Sequence, residues 1–174
     1  MRTPTLYQFF RHQLSHEFAA HGLREPATID YVSEVLARFA HTRSLYGVTD
    51  ADGRPLECIV DFLVAAFGDD GRRADRARGR SILRHLGEYT LFMSGLFRER
   101  LRARGELDYY LAQGASAYGQ CAHVEPHPAR RQLFRRVHDN FGGIADTLDD
   151  MRHRRLPLPA AASGEHMLAA LWRV

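Results

Sequence analysis

Ten histidines make metal binding the first chemistry to weigh. His12 and His16 stand one helical turn apart with Glu17 and His21 close by, and Cys121, His123 and His127 form a second group. Structural zinc takes four protein ligands and catalytic zinc usually three. Neither group offers that set in a recognised spacing. HExxH is absent, and ExxH, which di-iron helix bundles use twice, does not occur; His85-x-x-Glu88 has the reverse order. The stretch from Thr49 to Arg54 starts like an EF-hand loop, but arginine, proline and leucine follow Gly53 and no glutamate completes it. It reads as a turn. No metal and no cofactor is expected, and the histidines read as polar-face or part-buried residues.

Nucleophilic and phosphate-cradling motifs fare no better. GxGxxG and the P-loop are missing, and the chain has no lysine to supply the P-loop ammonium. Gly114-Ala-Ser116-Ala-Tyr118 lacks the second glycine of a nucleophile elbow. Ser94, Ser116, Tyr89, Tyr109 and Tyr118 carry hydroxyls, but spacing puts no base beside them and singles out no acid–base pair of carboxylates. The sequence names no catalytic residue and decides neither for nor against an enzyme.

Charge is more informative in its distribution than in its sum, which is only +3. From Arg72 to Arg104 there are ten arginines against Asp75, Glu88 and Glu99. Arginine suits phosphate forks, so nucleic-acid binding through 72–104 is one alternative. Against it, no helix-turn-helix with a basic recognition helix stands out, and aromatic residues do not interleave with the arginines as single-strand binding requires.

The stretch DYYLAQGASAYGQCA, Asp108 to Ala122, threads alanines, glycines and a serine between tyrosines. On a helix, Tyr110, Gly114, Ala117 or Tyr118, and Cys121 share one face. Glycine and serine weaken an isolated helix, so something must compensate. Close helix-on-helix packing is the favoured compensation. A cavity for a planar ligand, with tyrosine hydroxyls as its polar groups, is the competing one. Tyr89, Ser94, Gly95, Tyr109, Tyr110, Gly114 and Tyr118 are accordingly the candidate interface or ligand-binding residues.

The elements that would position these groups are helices. Thr3-Pro4 reads as an N-cap and first helical residue, followed by Leu6, Phe10, Leu14 and Phe18 at spacings of four and Gly22 as a stop. A second helix is expected from near Thr28, with Ile29, Val32, Leu36 and Phe39 on its stripe, and a third from Pro55 to Phe67. The Arg72–Arg104 segment turns apolar at Ile82 and is interrupted by Gly87 and Gly95, each costing about 1 kcal/mol against alanine if helical. Phe134, Val137, Phe141, Ile144, Leu148 and Met151 alternate spacings of three and four across Gly142-Gly143, which predicts one kinked helix. No stretch alternates with period two.

Two runs resemble an uncharacterised bacterial family whose members show L-G-[DE]-x-x-L-[FY]-x-S-G-F-F followed by V-D-Y-Y-x-x-x-G-x-x-A-Y. Leu86, Gly87, Glu88, Leu91, Phe92, Ser94, Gly95 and Phe97 match the first; Asp108, Tyr109, Tyr110, Gly114, Ala117 and Tyr118 match the second, with Leu96 and Leu107 as conservative departures. The resemblance implies a helical fold and brings no activity with it.

The sequence therefore predicts an all-α, single-domain bundle of six or seven helices over 1–154, a linker at 155–164, and a short helix at 165–174 carrying Trp172, docked or partner-binding. No window is long and apolar enough for a membrane span. The first residues lack a signal-like pattern, and the separated Cys58 and Cys121 suit reduced thiols, so a cytoplasmic location is expected. The expected function is a non-catalytic protein-interaction or regulatory module, self-associating as a homodimer. Nucleic-acid binding, and a small-molecule or enzymatic pocket lined by tyrosines of 89–118, are the alternatives.

Overall fold

Thr5 starts the first helix. Its hydroxyl accepts from the Gln8 N–H at 3.2 Å, and Gln8 Oε1 accepts from the Thr5 N–H at 3.0 Å. This reciprocal capping box satisfies two otherwise orphaned donors, which is why the cap is Thr5 rather than the expected Thr3. The computed structural model describes residues 5–40 and 76–156. The helix expected from Pro55 and the one at 165–174 lie outside those residues.

Helix α1 (Leu6–Ala20) turns back at Gly22, whose φ of +78° favours glycine, into α2 (Pro26–Phe39). Pro26 occupies the first turn, where its missing N–H costs nothing. Phe10, Leu14 and Phe18 of α1 and Val32, Leu36 and Phe39 of α2 are buried, as their spacing predicts. Arg11 pairs with Asp30 at 2.6 Å across this hairpin.

Helix α3 (Arg76–Leu96) runs unbroken through Gly87 and Gly95, where the sequence predicts interruptions. The glycines are tolerated because other helices press on them. A Cβ at Gly87 would lie 2.9 Å from the Tyr118 ring, and one at Gly95 2.6 Å from Leu148 Cβ. The chain breaks instead at Phe97 and continues as α4 (Arg98–Ala103). Gly105, at φ +69°, makes the turn into α5 (Leu107–Val124).

Pro126 closes α5, and Pro128 opens α6 (Pro128–Asp139). The expected single kinked helix is two. Asn140 ends α6, its side-chain amide donating to the Arg136 carbonyl at 2.9 Å, and α7 (Phe141–Arg155) follows at once. Gly142 and Gly143 lie in the first turn of α7.

The fold is all-α: seven helices and no strand among the described residues. Helix α3 is central, packed on α5 and α7, while the α1–α2 hairpin lies against α7, α3 and α6. Phe10, Phe18, Phe39, Phe92, Tyr118 and Phe141 are fully buried in one core. Each such side chain contributes roughly 1.5–3 kcal/mol of burial. Among the described residues no helix is long and apolar enough to cross a membrane.

Candidate functional site

The volume given up at Gly114 is filled. A Cβ there would overlap the Phe141 ring and come within 2.5 Å of Thr90 Oγ1. The small residues of α5 thus admit side chains of α3 and α7. Ser94 is buried and its hydroxyl donates to the Thr90 carbonyl one turn back at 2.6 Å; Thr90 does the same to Leu86 at 2.8 Å. These hydroxyls are absorbed by their own helix.

The seven candidates are not brought to one place. Gly95 backs onto Leu148, Gly114 onto Phe141, and the rings of Tyr89 and Tyr110 lie 6.3 Å apart. Tyr109 is exposed. Tyr118 reaches a polar cluster, its hydroxyl 3.1 Å from that of Tyr31.

That cluster is centred on Glu88, 2% exposed, in the middle of α3. Burying a carboxylate is costly unless it is paired and hydrogen-bonded. Glu88 is both. Its Oε2 meets Arg38 at 2.7 Å, and its Oε1 accepts from the Tyr31 hydroxyl at 2.9 Å with Arg84 Nε 3.7 Å away. Helix α2 supplies Tyr31 and Arg38 two turns apart, and α3 supplies Arg84 and Glu88 one turn apart, so each helix presents its pair on one face.

This carboxylate and the guanidinium groups it holds line one wall of a cleft. One lobe, about 330 Å³, lies among Tyr31, Glu34, Arg38, Arg84, Arg130 and Phe134. A second, about 260 Å³, lies among Arg80, Ser81, Arg84, Glu125, His127 and Arg130. Arg84, Arg130 and Phe134 belong to both lobes and form their shared wall. Arg130 stacks over the Phe134 ring at 5.9 Å. Four arginines from three helices thus converge here.

The carboxylates nearby are mostly engaged. Asp30 is held by Arg11. Glu125, buried, accepts from the His127 N–H at 3.1 Å and lies 3.8 Å from Arg130 Nε. The side chains of Arg38, Arg84 and Arg130 keep 45%, 38% and 50% of their surface, against 3% for Glu88. Around Glu88 the groups turned to solvent are therefore its cations, while on the rim Asp30 is part-exposed and Glu34 exposed.

Protons in this region are firmly held. Burial pushes the Tyr31 and Tyr118 hydroxyls well above the usual phenol range, reinforced by the nearby Glu88 charge. Burial, with Glu88 again adding, pushes the Cys121 thiol up to about 12. The arrangement offers hydrogen-bond donors and fixed positive charge rather than a ready nucleophile or base.

Other clusters fall elsewhere. His12 and His16 contact edge to face on exposed turns of α1. No group of three or more histidine, cysteine, aspartate or glutamate side chains among the described residues is placed to hold an ion. The arginine strip is split: Arg80 and Arg84 line the cleft, while Arg98, beyond the break on α4, pairs with Asp146 at 2.6 Å. Glu99 receives His153 at 3.0 Å and Arg152 at 3.5 Å, and buried Glu17 receives Arg154 at 3.2 Å.

No protein-family model, curated protein or solved structure matches this chain.

Proposed function

We propose that this chain is a non-catalytic, regulatory binding module whose cleft between α2, α3 and α6 captures the anionic group of a small molecule. The observation that carries this reading is the convergence of Arg38, Arg80, Arg84 and Arg130 on one concave surface. Glu88 orients two of them from beneath while leaving most of their five donors each unused. Lobes of this volume lie near the lower end of the range for small-molecule sites. A regulatory role fits the absence of an evident acid–base or nucleophilic set, since recognition needs only shape and charge.

Self-association finds less support. Among the described residues the exposed large apolar side chains are Tyr109 and Val124, about 22 Å apart along α5. Through the described residues a homodimer would have to form on polar faces, and a single monomeric mass by light scattering at high concentration retires it.

Chemical-shift titration with hexanoate and inorganic phosphate at low ionic strength tests the main reading. Arg80 has no ion pair among the described residues, and half-exposed Arg130 has a 3.8 Å contact with Glu125 and its stacking on Phe134, so Arg80→Gln and Arg130→Gln are expected to keep the fold. Each substitution is expected to weaken binding about tenfold, the worth of a hydrogen bond to a charged group. Added salt should weaken it further. Shifts from neither anion, or shifts away from the cleft, sink the proposal.

A further inference from the structure

The cleft is not uniformly cationic. Glu34 lies on its rim, on the same face of α2 as Arg38 and one turn before it. It is exposed and has no hydrogen bond or ion pair among the described residues, unlike Asp30, Glu88 and Glu125. Lobe one is therefore lined on α2 by the open carboxylate of Glu34, beside Arg38 and the paired Asp30, and on α3 and α6 by Arg84, the paired Glu88 and Arg130. Val35, Leu133 and Phe134 supply apolar wall to the same lobe. Lobe two has no such open carboxylate: its acid, Glu125, is buried and already accepts the His127 N–H.

A purely anionic ligand would use the arginines and be repelled by Glu34. A ligand with an amine at its other end would use both. We propose that the occupant is a small zwitterion of amino-acid type, its anionic group against Arg84 and Arg130 and its ammonium against Glu34, with an aliphatic segment crossing the Val35–Phe134 wall. This rests on the cleft accepting an anion at all. Glu34 then acts as a specificity determinant, rewarding the amine and penalising simple acids.

Matched probes separate the two ideas. Hexanoate, 6-aminohexanoate and hexylamine, with butanoate and 4-aminobutanoate as a shorter pair, are titrated into the full chain and followed by chemical shifts at the cleft. At one or both lengths the amino acid is expected to bind about three- to tenfold tighter than its acid, the range for a part-exposed ion pair with modest desolvation. Glu34→Gln, at an exposed helix position, should abolish that preference and bind hexanoate slightly better. Equal affinity for acid and amino acid at both lengths overturns the zwitterion while leaving the anion site standing. A preference that survives Glu34→Gln overturns the role given to that residue. Failure of every carboxylate overturns the zwitterion, and failure of inorganic phosphate as well removes the anion site with it.

Discussion

Gly114 and Phe141 occupy each other's space: the ring of one helix sits where the other would carry its first side-chain carbon. A methyl group at Gly114 would meet Phe141 and Thr90, both on neighbouring helices and both buried. Gly114→Ala is expected to destabilise the fold by about 1–3 kcal/mol, the usual cost of overpacking, despite its better helix propensity. Gly142 and Gly143 are the counter-test. A Cβ at either meets nothing within 4 Å, so alanine there should stabilise by up to about 1 kcal/mol. Urea denaturation of the three variants reads both signs, and a neutral Gly114→Ala would refute the contact as described.

Glu88 is the most exposed to mutation of the polar core groups. Glu88→Ala removes the acceptor of the Tyr31 hydroxyl, leaving it only that of Tyr118, and removes the counter-ion of Arg38. Arg38 keeps nearly half its surface and can rehydrate, so the expected loss of about 2–3 kcal/mol falls below that of a fully buried broken pair. Tyr31→Phe deletes one hydrogen bond to the same carboxylate and the one to the Tyr118 hydroxyl, and should cost about 1–2 kcal/mol. A loss from Glu88→Ala no larger than that from Tyr31→Phe would show that Glu88 does not organise the cluster.

The contact between α4 and α7 should respond to pH. His153 is raised above its ordinary 6.5, first by its hydrogen bond to the Asp149 carbonyl and then by Glu99. Glu99 is lowered below 4.5, first by its hydrogen bond with His153 and then by Arg152. Protonated His153 contributes stability that is complete below 6.5 and fades as pH rises through its raised native value. Glu99 contributes above 4.5 and loses that contribution as pH falls through its lowered native value. Both are therefore in place between 4.5 and 6.5. Asp149, raised from 3.8 by burial, works opposite to Glu99, losing its contribution as pH rises. NMR titration of the His153 ring should give a midpoint above 6.5 that drops in Glu99→Gln. An unchanged midpoint in that variant would refute the coupling.

The apolar rhythm of the chain made the helices legible, because burial follows it faithfully at Phe10, Leu14, Phe18, Val32, Leu36 and Phe39. Breaks were less so. The spacing of threes and fours runs from Phe134 to Met151 straight through Asn140, since that tight junction keeps Phe141 in step with Val137. Gly87 and Gly95 look like interruptions until the partner helices that press on them are known. The cleft was hidden for a similar reason. A single carboxylate within LRHLGEYTLF is itself a signal, since an acid on an apolar face needs a partner. Arg38 and Tyr31 lie some fifty residues earlier, and no spacing rule links them to Glu88.

The two sides of the cleft are anchored separately. Helix α2 belongs to the amino-terminal hairpin, tied to the later helices by Arg38–Glu88, Glu25–Arg136 and Glu17–Arg154. The recess is thus a seam between two pieces of chain, and an occupant touching both works as mortar. By mass action, anything that settles there stiffens the joint and delays unfolding. By the same linkage, whatever prises the hairpin loose must also expel the guest.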